Sequence, residues 1–386
     1  MLYDDPASVT SSTAQGNPAG RGFRKMLLET DSLEVEPQGP TPTAALARAL
    51  LARAARAFAG KKFKPHRLFG GGHQQTIAAY AWPRRFRFAS ERDEERLFEV
   101  APGVKVLAHC RWQTERYKHP TIVVWHGIEG STASNYMQAI AEKSSHAGFN
   151  VIRVNFRNCG GTEHLTNTIY HGGLSADLVA VVTELIEKDQ LRSLLLVGFS
   201  LGGNLVLKLA GEYGDDPPRE ILGVCAVSPS IDLSASADMI LKRSNWIYHR
   251  DFVRRLKLRI RTNHKLYPER YDISGLDAVR TLREFDDRYT SRAHGFADVA
   301  DYYHRASSLR VIDRIRIPSL IIHAGDDPFI PVAPLHDPAV TNNPYILLLA
   351  PAQGGHVAFI SAEREADGDR FWAENRVVEF CKLASE

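Results

Sequence analysis

From Lys105 onward the chain alternates short apolar runs with helical patterns. Thr121–Trp125, Asn150–Asn155, Leu194–Gly198, Gly223–Ser228, Ser319–His323 and Tyr345–Leu349 have the length and continuous apolar character of buried strands. Between them Leu174, Leu178, Val181, Val182 and Leu185 mark one face of a helix, and Leu205, Leu207 and Leu209 belong to another that begins after Ser200. Repeated strand–helix–strand units predict a mostly parallel sheet with helices on both faces. After Ser228 the alternation stops. Residues 230–317 read as helical and charged, with Phe252, Leu256 and Ile260 four apart, and the strand pattern resumes at Pro318. An insertion there predicts a cap over the C-terminal edge of the sheet, where such folds place ligands.

Upstream, residues 1–43 are rich in Ser, Thr, Gly, Pro and Glu and read as a tail or linker. Leu46, Leu50, Ala54 and Phe58 then predict an amphipathic helix over 44–59. Basic residues around it (Arg48, Arg53, Arg56, Lys61, Lys62, Lys64) leave two readings, a helix packed on its own domain or one docked on a membrane surface. The expected organisation is thus a tail (1–43), a first part of the core (44–229), a cap (230–317) and a second part of the core (318–386).

Composition removes several classes of function. Lys and Arg number 48 against 45 Asp and Glu, a net charge of +3, too mild a balance to suggest a nucleic-acid partner. Cys110, Cys159, Cys225 and Cys381 show neither a disulfide framework nor C-x-x-C spacing, so no metal site is expected, and they fit a reducing compartment. No apolar run approaches the ~20 residues of a membrane span. Asp4 and Asp5 stand where a signal peptide would be basic. A cytoplasmic protein is expected, with peripheral lipid contact left open and the oligomeric state unassigned.

The chemistry concentrates at Gly198-Phe199-Ser200-Leu201-Gly202, a G-x-S-x-G between a strand and a helix. That context is a nucleophile elbow, a strained turn that lifts a Ser Oγ out of the sheet. Side chains at 198 and 202 would clash with strand and helix. A Ser nucleophile needs a base and an orienting acid, and with this elbow the acid precedes the His in the chain. Asp326-Asp327-Pro328 follows the strand Ser319–His323. Asp327, directly before Pro-x-x-Pro, is the preferred acid; Asp326 is the fallback, with bracing of the loop as its other role. Gly354-Gly355-His356 follows the last strand and makes His356 the candidate base. His126-Gly127-Ile128-Glu129-Gly130 leaves the strand Thr121–Trp125 in a turn able to aim the Ile128 N–H at the site beside that of Leu201, as an oxyanion hole. His126 itself reads as a residue that shapes the loop.

These residues, with others, resemble the YheT-like, ABHD-type branch of the α/β-hydrolase superfamily, from about Pro65 to Ile360. The likeness includes Gly72-His73-Gln74-Gln75-Thr76-Ile77, His126–Ser131, Asn155-Phe156-Arg157-Asn158-Cys159-Gly160-Gly161 and Gly198–Asn204. In the cap it includes Phe285-Asp286, Thr290, Gly295-Phe296 and Asp301-Tyr302-Tyr303, and later Asp326–Phe329 and Gly354–Val357. Asn158 stands where the family has Gly, and Asn tolerates positive φ better than most residues. The resemblance implies an α/β-hydrolase fold, with a helical cap inserted before the strand that precedes the catalytic acid. It further implies hydrolysis of carboxylic esters, short- to medium-chain acyl esters or acylglycerols, with no cofactor and a small-molecule acyl ester as partner. Some relatives transfer acyl groups to alcohols, so an acyltransferase using the same Ser200 is the alternative; a non-catalytic binding module is the second. His73, Gln75 and Thr76 are expected to pin the N-terminal segment to the sheet, and Arg157 to bond neighbouring loops. The basic run Arg250, Arg254, Arg255, Lys257, Arg259 and Arg261 is expected to be a solvated helix face, with attraction of anionic lipid or acyl-CoA as its other reading. Trp246, Phe252, Leu256 and Phe285 are expected to roof the site.

Overall fold

The computed structural model describes residues 42–86, 93–364 and 369–386. The expected tail, all but its last two residues, lies outside them.

Eight strands form one sheet in the order β1-β2-β4-β3-β5-β6-β7-β8. They are β1 (Glu94–Ala101), β2 (Val104–Arg111), β3 (Thr121–Trp125), β4 (Asn150–Val154), β5 (Leu194–Phe199), β6 (Ile221–Val227), β7 (Ser319–Ile322) and β8 (Ile346–Leu349). From β4 to β8 every pairing is parallel, whereas β1–β2 and β2–β4 are antiparallel. The six expected strands all form, within a residue or two of their predicted ends. The β1–β2 hairpin is an addition. Its apolar positions (Phe98, Val100, Val106, Ala108, Cys110) occupy one face only, and charged residues interrupt them in the sequence.

Side chains alternate across the central strands. On β3, Val123 and Trp125 enter one core and Ile122 and Val124 the other; β5 divides Leu194 and Leu196 from Leu195 and Val197 in the same way. Helices in chain order are α1 (Pro42–Ala59), α2 (Gly72–Ala81), α3 (Asn135–His146), α4 (Ser175–Glu187), α5 (Leu201–Tyr213), α6 (Leu233–Leu241), α7 (Trp246–Leu266), α8 (Leu282–Phe285), α9 (Val299–Ala306), α10 (Pro338–Thr341) and α11 (Trp372–Ser385). Helices α4 and α5 supply the first core, and α1, α3 and α11 the second. Such two-sided burial is what continuous apolar strands require.

The stripe on α1 needs correction. Ala44, Ala47, Leu51, Ala54 and Phe58 are buried, while Leu46 is 73% exposed. A strict step of four drifts off a helix with 3.6 residues per turn, so the buried face advances by three and four in alternation. Leu51, Ala54 and Phe58 of that stripe pack into the second core, as the plainer of the two readings of this helix requires.

Between β6 and β7 lie α6 to α9, with a π-helical turn at Asp286–Ser291. Val253, Leu256, Ile260 and Asn263 form the buried face of α7. Two expectations fail here. Trp246 is 57% exposed and does not roof the site. Arg259 does not belong to a solvated face: three residues from Leu256 and four from Asn263, it falls at the border of the buried stripe and turns inward onto Glu129. Around it, Arg254 and Arg255 pair with Asp251, and Arg261 pairs with Asp277.

Candidate active site

Ser200 sits between β5 and α5 at φ 53°, ψ −115°. The turn leaves no room beside it. A Cβ on Gly198 would lie 2.1 Å from the Gly202 carbonyl oxygen, and one on Gly202 would lie 2.5 Å from that of Trp125. The Ser200 N–H donates to the Val227 carbonyl at 2.9 Å, which ties the elbow to the neighbouring strand. Asn204, one turn into α5, gives both amide hydrogens to Gly172 and Ala306 carbonyls (2.8 and 2.9 Å) and accepts from the Ser308 N–H at 2.8 Å. The last residue of the G-F-S-L-G-G-N segment thereby fastens the elbow helix to the loops that frame it.

Asp327 follows β7 and His356 follows β8. The imidazole Nδ1–H donates to Asp327 Oδ2 at 2.8 Å, while Oδ1 accepts from the Phe329 and Ile330 N–H groups at 2.8 and 3.0 Å. Burial pushes the Asp327 pKa up, but the charge and hydrogen bond of His356 outweigh it and hold the carboxyl below the ordinary value. Asp326 points elsewhere: its Oδ1 accepts from the Gly355 N–H at 2.9 Å. Burial raises its pKa. It braces the glycine turn before His356 and does not touch the imidazole.

The G-H-Q-Q-T-I segment acts on the same loop. Thr76 Oγ1 accepts from the His356 N–H at 2.9 Å. Gln75 spans from the Phe69 carbonyl to both the N–H and the carbonyl of Ile360. A Cβ on Gly72 would lie 1.9 Å from the Asp326 carbonyl oxygen. His73 stacks on Tyr248 of α7 at 5.7 Å. His73, Gln75 and Thr76 were expected to pin the N-terminal segment to the sheet; Gln75 does tie that segment to Ile360, and Thr76 in addition holds the His356 turn, a role that the spacing alone did not reveal.

The turn after β3 is fixed on both sides of Gly127. Its N–H donates to Tyr136 Oη at 2.9 Å. Its carbonyl accepts from His126 Nδ1–H at 2.7 Å and from the Gly130 N–H at 3.1 Å. Because a trans peptide directs its N–H opposite to its C=O, the Ile128 N–H faces away from those donors. Neither that group nor the Leu201 N–H donates to a protein acceptor among the described residues. Burial lowers the His126 pKa to about 4, so the ring is neutral, and its Nε2 accepts from the Phe156 N–H at 3.1 Å. His126 shapes the loop, as its sequence context suggested. Arg157 pairs with Asp177, Nε to Oδ2 at 2.7 Å, and reaches Thr168. Asn158 adopts φ 59°.

Ser200, Ile128, Leu201 and His356 line one cavity of about 80 Å³. Ser200 Oγ and the imidazole make no direct hydrogen bond there; such contacts often tighten only once substrate is bound. Cap residues Leu233, Ile240, Phe252, Leu256 and Phe285 supply the apolar wall. The sequence reading missed Glu129 and Arg259. Glu129 carries φ 53° and takes Arg259 from the cap in a two-point ion pair. The helical period of α7 was the available signal for Arg259; nothing marked Glu129.

Residues 120–363 match the family described as alpha/beta hydrolase fold, and the chain belongs to it. Within the superfamily it falls in the branch of YheT from Escherichia coli (strain K12), to which it is 32% identical over 322 residues, 83% of this chain and 92% of that one. It is also 30% identical over 265 residues to the monoacylglycerol lipase of Saccharomyces cerevisiae, covering 66% of this chain and 57% of the relative. Among solved structures, the esterase Pf2001 of Pyrococcus furiosus aligns over 78% of this chain and 96% of its own, with a TM-score of 0.50 and 19% identity, a likeness of fold. With these relatives the chain falls in the class of carboxylic ester hydrolases. No helix among the described residues is long and apolar enough to cross a membrane.

Proposed function

We propose that the chain hydrolyses carboxylic esters of short- to medium-chain acyl groups, or acylglycerols, through an acyl-enzyme. Ser200 Oγ attacks the ester carbonyl as His356 Nε2 takes its proton. Asp327 holds the imidazole in the tautomer with Nδ1–H and stabilises the imidazolium. The Ile128 and Leu201 N–H groups receive the oxyanion. His356 gives its proton to the leaving alcohol, then activates water to release the acid. No metal or organic cofactor takes part. The observation that carries this reading is the 2.8 Å bond from His356 to Asp327, with the imidazole in the same cavity as a serine on a strained elbow. The four cysteines are buried free thiols, which supports a reducing, cytoplasmic setting.

A fluorophosphonate should label Ser200, and Ser200→Ala should lower kcat on p-nitrophenyl butyrate by up to about 10⁶, the scale of nucleophile loss in a well-characterised serine hydrolase. Labelling at another serine, or turnover near wild type in the variant, would overturn the assignment.

A further inference from the structure

Helices α6 and α7 meet in a stretch, residues 241–250, that the fold leaves uncovered. Trp246 and Ile247 are each more than half exposed, and Leu241 about half. Helix α2 lies beside them: His73 stacks on Tyr248, and Tyr80 lies against Arg255. Ile77 and Tyr80, four and seven residues after His73, share its helix face and are also more than half exposed. Large apolar side chains gathered on two touching elements mark a surface that something covers. The charges around them have one sign. Between Asp238 and Asp251 the chain has no acidic residue, and α2 carries neither acid nor Lys or Arg. Lys242, Arg243 and Arg250 are exposed and make no ion pair among the described residues. The other cations of the α7 run are engaged: Arg254 and Arg255 with Asp251, Lys257 with the Asp277 carbonyl, Arg259 with Glu129 and Arg261 with Asp277. Asp238 is taken by Arg283. A second copy of the chain on a two-fold axis would set this patch against itself, cation against cation. A lipid surface with anionic headgroups complements it: Trp and Tyr rings lie at headgroup level, and Lys and Arg meet the headgroups.

We propose that residues 241–250, with the exposed face of α2, dock the protein on an anionic lipid surface. The patch stands one aromatic layer from the candidate base, since Tyr248 packs on Phe329 at 4.7 Å between ring centroids and Phe329 on the His356 ring at 4.8 Å. Docking there brings the cavity to the lipid that would supply acyl esters. That use rests on the esterase reading; the docking itself does not.

Sedimentation with vesicles tests this on the full chain carrying Ser200→Ala, so that lipid turnover does not enter. The vesicles are equal parts phosphatidylglycerol and phosphatidylcholine, or phosphatidylcholine alone. The protein should pellet with the anionic vesicles, far less with the neutral ones, and be released as salt screens the charges. Each cation near an anionic surface gives about a fivefold gain in partitioning, so Lys242→Gln, Arg243→Gln and Arg250→Gln together should weaken it roughly 100-fold. Trp246→Ser with Ile247→Ser should weaken it about tenfold or more, through lost apolar burial. Arg48→Gln with Arg56→Gln, on the basic helix α1, is the control and should change it less than about twofold. Should the triple variant fail to fold by circular dichroism, Arg250→Gln alone takes its place, with a loss of about fivefold. No pelleting with anionic vesicles, equal pelleting with neutral ones, undiminished binding in the folded cation variant, or an equal loss in the α1 control would overturn the proposal. So would a dimer that Trp246→Ser with Ile247→Ser turns into a monomer, because a second copy would then cover this face. Failure of the wild-type chain to hydrolyse p-nitrophenyl butyrate would instead strike the esterase reading and leave the vesicle result standing.

Discussion

Two adjacent carboxylates at the end of β7 do different work, and their hydrogen bonds separate them. Asp327 meets the imidazole at 2.8 Å, whereas Asp326 meets the Gly355 N–H at 2.9 Å. Asp327→Asn keeps the shape but can present an N–H where an acceptor is needed, which favours the wrong imidazole tautomer. In a protease triad that change costs about 10⁴ in kcat. Asp326→Asn retains an oxygen able to accept from Gly355, so its loss should stay within about tenfold, the cost of one neutral hydrogen bond replacing a charged one. Steady-state kinetics of the two variants on one ester decide the matter. The opposite order of damage would name Asp326 as the acid. The depressed Asp327 pKa carries a sign as well: its contribution to stability is present above the ordinary carboxylate pKa and is lost as pH falls through the lower folded value.

Elements place these residues more tightly than any single contact. Helix α2 lies against the loop between β7 and its acid, and the approach is set by Gly72. A methyl there would stand 1.9 Å from a backbone oxygen, which cannot rotate away as a side chain can. Gly72→Ala should therefore displace the acid loop or the helix, and lower kcat roughly 10- to 100-fold, since a shift of about 1 Å at a catalytic group has that effect. Unchanged kcat with unchanged folding would show that the loop absorbs the methyl. The sequence made the buried strands legible because they are apolar on both faces, and Ser200, Asp327 and His356 legible because each follows such a strand. It concealed the β1–β2 hairpin, whose apolar residues alternate with Glu95, Arg96, Glu99 and Lys105. It also concealed what depends on distant pairing: Thr76 on the His356 turn, and Arg259 on Glu129 across 130 residues of chain. A helix stripe written at a constant step of four likewise pointed to Leu46 where the backbone buries Ala47.

At the scale of the whole molecule, the proposed reacting groups follow strands of the sheet, and the cap supplies the apolar wall of the cavity they share, against which an acyl or alcohol chain is proposed to lie. Leu233, Ile240, Phe252, Leu256 and Phe285 face the same space as Ser200, and that space is only about 80 Å³. Each methylene taken from water into such a wall contributes about 0.8 kcal/mol, a threefold to fourfold gain per CH₂. Across p-nitrophenyl esters from acetate upward, kcat/KM should rise by that factor for the first few carbons. A cavity this narrow fills early, so the optimum should fall among short chains and decline beyond them. Replacing Phe252 or Leu256 by Ala should move the optimum to longer acyl groups, because the space vacated lies on the cap side of the cavity. A profile flat in chain length would mean that the cap does not enclose the acyl group. An unshifted optimum in both cap variants would place the acyl chain along another wall.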